Sequence, residues 1–238
     1  MKTINYALIG SGRLAQHLSF YLQPFAKSLS HWTQSKNSDH DLNRCVENSK
    51  FVLLAIKDDA LKDFITKHKD LLSNKTLIHF SGSVVLPKAQ SFHPLMTFTH
   101  KLYEEKFYSR IPFIGEEGKV SFRDIFPFWD NPYYEISSDQ KSLYHSYCVI
   151  SGNFTSLLWQ KMFSEFKTQL SLPEEAIQPY QEKIFQNATE DLNNSLTGPF
   201  VRNDFKTINT HKKILEAQPE LLKIYQSFEE LYFNKRPL

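Results

Sequence analysis

The chain has 238 residues, of which 41% are hydrophobic and 23% are charged, a composition typical of a folded globular protein and unlike that of a disordered chain. Its net charge is +2 and neither sign forms a long run, so the sequence shows no footprint of nucleic-acid binding. The longest apolar stretch, residues 51–56, is far shorter than the roughly 20 residues that span a bilayer.

Two further absences bear on the compartment and on metals. The opening residues lack the long apolar core and the cleavage site of a secretory signal. Cys45 and Cys148 form neither a disulfide framework nor a zinc spacing, and the scattered histidines have no recognised ligand spacing. We therefore expect a cytoplasmic protein with no membrane contact and no bound metal.

The N-terminal part alternates short apolar runs with segments of helical spacing. Strands are predicted at residues 4–9, 29–33, 51–56, 76–80, 111–115 and 133–136, and helices at 13–25, from a cap at Asp58 onward and at 121–129. Strands that alternate with helices at this spacing are typical of βαβ units and a parallel sheet.

The pattern changes near residue 138. A long helix is predicted from 139 to 170, and the prolines that follow it predict three or four further helices by dividing the remaining chain at Pro173, Pro179, Pro199 and Pro219. We therefore predict an α/β domain over residues 1–138 and an all-helical domain over 139–238.

Residues 10–15, Gly-Ser-Gly-Arg-Leu-Ala, fit the pattern G-x-G-x-x-G/A directly after a predicted strand and at the start of a predicted helix. The first glycine permits a tight turn, the second lets the backbone approach a pyrophosphate, and the helix N-terminus provides N–H donors. The motif predicts dinucleotide contacts from Gly10, Ser11, Gly12, Arg13 and Leu14. A glycine-rich turn that binds no nucleotide is the alternative.

The residues after the second predicted strand bear on the choice between NAD and NADP. NAD sites usually carry an acidic residue there, whereas residues 31–37 contain no carboxylate. Thr33, Ser35 and Lys36 are suited to a 2′-phosphate because hydroxyls and an ammonium satisfy its charge. The sequence thus favours NADP over NAD, with a solvated loop as the alternative.

Several segments together resemble a known group of proteins. They are LLAIKDDAL (53–61), IHFSGS (78–83), SFHPLMTF (91–98), KSLYHSYCVISGNF (141–154) and LTGPFVRNDFKTINTHKKIL (196–215). In this order they resemble Rossmann-like proteins with a C-terminal helical domain of unknown function. Those proteins are related to deazaflavin-dependent NADP oxidoreductases and, more distantly, to β-hydroxyacid dehydrogenases, ketopantoate reductase and pyrroline-5-carboxylate reductase.

The resemblance implies a fold and a cofactor, but no substrate. It implies an N-terminal Rossmann domain that binds NADP, followed by an all-α domain like the C-terminal domain of 6-phosphogluconate dehydrogenase, which often mediates dimerisation. One residue departs from the pattern, since Asn203 follows Arg202 where glycine is expected.

Polar residues beyond two predicted strands are further candidates for cofactor contact. Lys57 and Asp58 follow one strand, and Ser81 and Gly82 follow another, and ligands of open α/β sheets bind at such carboxyl ends. The alternatives are a helix cap at Asp58 and an ordinary turn at Ser81-Gly82.

Three residues are candidates for catalysis. His93 precedes Pro94, which predicts an extended loop, and it is either a proton donor at neutral pH or a structural histidine. His145 and Asn153 lie eight apart on the predicted long helix, so they project to broadly the same side. The Lys-x3-Asn pair of related dehydrogenases is absent. His145 as acid and Asn153 as substrate orienter are its best substitutes, with ordinary hydrogen bonding between helices as the alternative.

A turn into a later helix carries the candidates for substrate binding. Thr197 and Arg202 lie in this segment, and Arg202 is suited to clamp a substrate carboxylate. A local ion pair between Arg202 and Asp204 is the alternative.

Together these features predict an NADP-dependent oxidoreductase that transfers a hydride between nicotinamide and a small carbonyl or imine compound, or a deazaflavin, held between the domains. A non-catalytic NADP-binding sensor is the alternative. Dimerisation through the helical domain is expected because the predicted long helix carries Tyr144, Tyr147, Phe154, Trp159, Phe163 and Phe166.

Overall fold

The computed structural model describes residues 4–118 and 120–234. The chain divides into two compact units, with the boundary between Leu157 and Leu158. The predicted boundary at residue 138 lies earlier in the chain, where the long helical segment begins. The first unit therefore contains that whole α/β sheet and the first turns of the helical segment.

A seven-stranded sheet forms the centre of the first unit. Its strands are β1 (Asn5–Ile9), β2 (Ser28–Trp32), β3 (Phe51–Leu54), β4 (Thr76–His79), β5 (Ala89–Pro94), β6 (Phe113–Glu116) and β7 (Tyr133–Ile136). Their order in the sheet is β2-β1-β3-β4-β5-β6-β7. All neighbouring strands are parallel except β5 and β6. This architecture confirms the predicted Rossmann fold.

Seven helices connect these strands or follow them in the described part of the first unit. They are α1 (Arg13–Leu22), α2 (Asp39–Glu47), α3 (Asp58–Lys67), α4 (Lys69–Leu72), α5 (Glu105–Tyr108), α6 (Phe122–Ile125) and α7 (Lys141–Cys148). Side chains alternate between the two faces of β1, so Tyr6 and Leu8 belong to one apolar core while Ala7 and Ile9 belong to another. Both faces of the sheet are therefore covered, as in a doubly wound fold.

The sequence analysis missed four elements, α2, α4, α5 and β5, and placed the cap of α3 one residue too late. Helix α2 is mostly polar, and only Leu42, Cys45 and Val46 are buried in it. Strand β5 includes His93, which was expected in a loop, because the preceding residues are buried and pair with β4. Asp58 does not cap α3. Lys57 occupies the cap position, and the Asp58 carboxylate accepts a hydrogen bond from Ser81 instead.

The helical segment after β7 is continuous but not uniform. Helix α7 leads into a π-helical stretch, Val149–Phe154, and then into α8 (Thr155–Leu170). The described residues of the second unit add α9 (Glu174–Glu190), α10 (Phe205–Leu215) and α11 (Pro219–Phe233). Their all-helical character confirms the predicted fold class.

Two of the four prolines predicted to divide the second unit stand at helix starts, whereas Pro199 lies in a turn before α10. Pro173 is the N-cap of α9 and Pro219 is the first residue of α11, both positions where a missing N–H costs little. Pro179, predicted to end a helix, instead lies inside α9. Within the described residues, no helix has the length and apolar character needed to cross a bilayer.

Candidate active site

The turn between β1 and α1 has the geometry that the glycine motif predicts. Gly10 has a φ of +138°, and a side chain there would overlap the carbonyl group of Ala55, so only glycine fits. Gly12 is the N-cap of α1, and a Cβ atom at this position would meet no protein atom within 4 Å. Ala15, the small third residue of the motif, is fully buried and packs the helix against the sheet.

This turn borders a cavity of about 870 Å³, named here the β1–β3 cavity. It lies at the point where the strand order reverses, since β2 and β3 flank β1 on opposite sides. Six predicted residues line it, namely Gly10, Ser11, Gly12, Arg13, Leu14 and Lys57. Sequence reasoning missed the other lining residues: Trp32, Gln34, Asp39, Ala55, Ile56, Ala60, Asp63, Phe64, Lys67 and His68.

The cavity wall combines cationic groups with a helix N-terminus. The first turn of α1 contains no acidic residue, so the partial positive charge of its free N–H groups is uncompensated there. Arg13, Lys57 and Lys67 add three cationic side chains, and Lys67 also forms an exposed ion pair with Asp39, with a 3.4 Å separation between Nζ and Oδ2. Two carboxylates, Asp39 and Asp63, also line the cavity, so the three cations and the helix N-terminus together leave the wall suited to an anion.

The three residues predicted to bind a 2′-phosphate lie in the turn after β2, and none of them is among the residues that line the cavity. The backbone N–H and the hydroxyl of Thr33 both donate to Asn37 Oδ1, at 3.0 and 3.4 Å. Ser35 and Lys36 are exposed. Gln34, from the same turn, is the residue that reaches the cavity.

Asp58 and Ser81 are joined at the carboxyl ends of β3 and β4. The Ser81 hydroxyl donates to Asp58 Oδ2 at 2.6 Å and accepts from the backbone N–H of Val84 at 3.0 Å. The Ser81 carbonyl accepts from Ser91 Oγ at 2.9 Å and from Lys141 Nζ at 3.4 Å. Neither Asp58 nor Ser81 lines the β1–β3 cavity; their bonds fix the turn that carries Gly82.

Gly82 makes room for the two candidate histidines. A Cβ atom on Gly82 would lie 2.5 Å from His145 Cδ2 and 3.1 Å from His93 Cδ2. The two imidazole rings are nearly perpendicular, with centroids 5.7 Å apart. The structure therefore brings together three predicted site residues that lie far apart in the sequence.

Burial makes His93 a neutral imidazole at pH 7. Desolvation, followed by the charges of His145 and Lys141, lowers the pKa of His93 from 6.5 to about 4. An imidazolium at position 93 is therefore scarce at neutral pH. His93 is suited to a hydrogen-bonding role, while His145 remains the candidate acid.

Two further side chains of α7 complete this group, and sequence reasoning did not select either. The Tyr144 hydroxyl lies 2.7 Å from His93 Nδ1. Lys141 is buried and forms an ion pair with the buried Glu116 of β6, at 3.3 Å between Nζ and Oε1. Residues 141, 144, 145 and 148 recur at a spacing of three and four, which places them on one helix face. This spacing of polar side chains is the sequence signal that could have identified Lys141 and Tyr144.

Asn153 stands apart from this group. It lies in the π-helical stretch Val149–Phe154 and is exposed, and no hydrogen bond joins it to another side chain in the described part of the chain. The i→i+5 bonding of a π-helix turns the chain less per residue than an α-helix does, and such stretches often mark functional sites.

In the second unit, the segment with Thr197 and Arg202 leads into α10. Asp204 caps this helix, accepting from the Thr207 backbone N–H at 3.1 Å and from the Thr207 hydroxyl at 2.7 Å. These bonds, more than the charge of Arg202, lower the pKa of Asp204. Asn203 has a φ of +52°, which is the left-handed conformation for which glycine was expected.

No group of three or more potential metal ligands occurs among the described residues.

A comparison with curated proteins found no match to this sequence. The family model described as a domain of unknown function (DUF2520) matches residues 116–231. The match begins in β6 and ends in α11, and it confirms the resemblance to Rossmann-like proteins with a C-terminal helical domain of unknown function.

Solved structures share the fold over nearly the whole chain. A candidate NADP oxidoreductase from Bacteroides fragilis is 21% identical, with a TM-score of 0.75 and 98% of both chains covered. A protein from Thermotoga maritima is also 21% identical, with a TM-score of 0.70 and 97% of both chains covered. Pyrroline carboxylate reductase from Plasmodium falciparum, solved with NADP bound, is 10% identical, with a TM-score of 0.59 and coverage of 98% of this chain and 99% of that one.

Proposed function

We propose that this chain is an NADP-dependent oxidoreductase that transfers a hydride between nicotinamide and a small carbonyl or imine compound, or a deazaflavin. The observation that carries the proposal is the glycine turn at the mouth of the β1–β3 cavity. The glycine turn follows the carboxyl end of β1, and the Gly82 turn, which the His93 and His145 rings contact, follows the carboxyl end of β4. Because β1, β3 and β4 are parallel, both turns lie on the same side of the sheet. The solved relatives named for NADP chemistry support this reading by analogy of fold.

The residues around the turn fit a dinucleotide. The strained φ of Gly10 draws the chain close to Ala55, and the open space at Gly12 leaves room for a pyrophosphate against the backbone. The N-terminus of α1 and the Arg13 guanidinium would hold its charge. Lys57, on the β3 side, would complete the contacts.

Further residues of the cavity wall support NADP over NAD. Lys67 and His68 line the wall together with Gln34, and a lysine ammonium is suited to a 2′-phosphate. Thr33, Ser35 and Lys36 remain proposed contacts from the adjacent turn. Asp39 is held in an ion pair with Lys67, which reduces its repulsion of an anion.

The bound nicotinamide would supply or accept the hydride. His145 would hold the proton that a developing alkoxide or amine requires, and neutral His93 would donate a hydrogen bond to the reacting group. Asn153 is proposed to orient the substrate, and Arg202 and Thr197 are proposed to contact a substrate carboxylate.

The test is a fluorescence titration with NADPH and NADH of the wild type, Gly12→Ala and Gly152→Ala. Gly12→Ala should not strain the protein, yet it places a methyl group where the pyrophosphate approaches. We expect roughly ten- to hundredfold weaker NADPH binding. Gly152→Ala is the matched control, since a Cβ atom there also meets nothing within 4 Å. If the wild type binds neither NADPH nor NADH, the proposal is wrong.

The same titration separates the two candidate sites for the 2′-phosphate. Lys67→Met should weaken NADPH binding roughly tenfold or more and leave NADH binding nearly unchanged, because the lost contact is to a charged group. Lys36→Met is the comparison on the adjacent turn. If only Lys36→Met weakens NADPH binding, the turn after β2 holds the phosphate and Lys67 does not.

We further propose that the protein acts as a cytoplasmic homodimer on a small-molecule substrate. Large apolar side chains on the helical segment of the first unit are more than half exposed, namely Leu143, Tyr147, Ile150, Phe154 and Leu157. Exposed apolar patches of this kind are typical of interaction surfaces.

The alternative function is a non-catalytic NADP-binding sensor. NADPH binding without turnover of any carbonyl, imine or deazaflavin would favour that alternative.

A further inference from the structure

The short contact between His93 Nδ1 and the Tyr144 hydroxyl admits two proton arrangements. Either the hydroxyl donates to a bare Nδ1, or Nδ1–H donates to the hydroxyl oxygen. The separation is 2.7 Å, the usual length for an O–H donor and shorter than the roughly 2.9–3.0 Å typical of N–H donors to oxygen. The distance favours the hydroxyl as the donor.

The surroundings of the pair favour the same arrangement. Burial raises the pKa of Tyr144, with the neighbouring Cys148 adding to the effect, so the hydroxyl keeps the proton that it donates. His93 faces Tyr144, His145 and Lys141, all from α7. Glu116, on the neighbouring strand β6, is bonded to Lys141 Nζ and Ser138 Oγ. The ammonium and the second imidazole oppose a further proton on His93.

We infer that Tyr144 is a positioning residue whose hydroxyl donates to His93 Nδ1 and fixes His93 as the neutral tautomer with its proton on Nε2. The Cδ2 atoms of His93 and His145 are the ring atoms nearest to a Cβ built on Gly82. The next nearest is Cγ of His145, so His145 turns the Cγ–Cδ2 side of its ring toward Gly82, whereas Nε2 of His93 lies one bond from the Cδ2 atom that faces the turn. His93 therefore presents an N–H donor at this sheet edge.

The role of that donor rests on the proposed function. A fixed N–H group suits an acceptor atom with a lone pair, such as a carbonyl oxygen or an imine nitrogen. A neutral imidazole polarises such a group without transferring its proton, as a neutral histidine does in triosephosphate isomerase. The proton required by the product would then come from another group, for which His145 is the neighbour.

Nitrogen NMR of the protein labelled with ¹⁵N-histidine tests the tautomer directly, with His93→Gln used to assign the His93 signals. In the wild type we expect a proton-bearing Nε2 and a bare, hydrogen-bonded Nδ1, unchanged between pH 6 and pH 8. In Tyr144→Phe the Nδ1 signal should move downfield toward that of an unbonded nitrogen. Tyr147→Phe, on the exposed face of the same helix, should leave both signals in place.

A proton-bearing Nδ1 in the wild type, or an Nδ1 signal that ignores Tyr144→Phe in the folded variant, would overturn the inference. If Tyr144→Phe fails to fold by circular dichroism, the wild-type signals alone decide, since they report Nδ1 directly. A parallel NADPH titration keeps the two proposals apart. Loss of NADPH binding with the expected tautomer overturns the proposed function only, and binding with the wrong tautomer overturns only the role of Tyr144.

Discussion

His93 links burial to the pH dependence of stability. Its pKa is lowered from 6.5 to about 4, so between these values the unfolded chain binds a proton that the folded chain does not. The free energy of unfolding therefore decreases as the pH falls from about 7 toward 4. The shift corresponds to a loss of about 2 kcal/mol between pH 8 and pH 5.

Urea unfolding of the wild type and His93→Gln at pH 8 and pH 5 measures this contribution. The wild type should lose about 2 kcal/mol more than the variant over that interval, because glutamine does not titrate. Equal losses in the two proteins would show that His93 is protonated in the folded state as readily as in the unfolded chain.

The same residues show how far the sequence predicted the site. The glycine turn was predictable because its requirements are local: a tight turn at Gly10 and open space at Gly12 depend on adjacent residues. The contact between His93 and Tyr144 joins residues 51 positions apart, and no spacing rule predicts it. The sequence analysis therefore identified only His93 and His145 of this cluster, because histidine is a common proton donor, and it did not identify Tyr144.

At the scale of elements, the buried pair Lys141–Glu116 joins α7 to strand β6 of the sheet. Both side chains are almost fully buried, and Lys141 also reaches the Ser81 carbonyl. Replacing Lys141 with an uncharged residue removes this ion pair from a buried carboxylate, and such a change typically costs about 3–5 kcal/mol. We therefore expect Lys141→Met to lower the free energy of unfolding by about that amount.

A double-mutant cycle measured by urea unfolding tests this role. Lys141→Met combined with Glu116→Leu should be more stable than Lys141→Met alone, because the buried carboxylate that Lys141 faces is removed as well. Lys67→Met is the matched control, since its ion pair with Asp39 is exposed and should contribute at most about 1 kcal/mol. If the single and double variants are equally unstable, the charges do not act as a pair.

Elements were predictable where apolar residues dominate them. Strands β1 and β3 are runs of buried apolar residues, and both were predicted. Strand β5 was missed because it buries the polar Gln90 and Ser91 within the sheet, which conceals its apolar signal. Pro179 shows the opposite case. This residue is exposed inside α9, and the helix continues past it although proline usually ends or kinks a helix.

For the whole molecule, the sequence predicted an α/β unit followed by a helical one, but it gave less information on surfaces. Helix α7 turns Lys141, Tyr144 and His145 inward while Leu143 and Tyr147 are exposed. This arrangement is inverted relative to an ordinary surface helix, whose apolar face packs on the core. Such a face favours association, because removing its apolar area from water lowers the free energy of the system.

The dimer proposal can be tested by light scattering at micromolar concentration, where the wild type should have twice the 27.9 kDa mass of one chain. Ile150→Glu and Phe154→Glu place a carboxylate on side chains that are each 55% exposed. Each should raise the dimer dissociation constant roughly tenfold or more, since an unpaired charge is costly to bury in an apolar interface. Ser142→Glu, at an exposed polar position of α7, should leave the dimer intact. A monomeric wild type would contradict the proposal, and a dimer that resists both glutamate variants would place the interface on another surface.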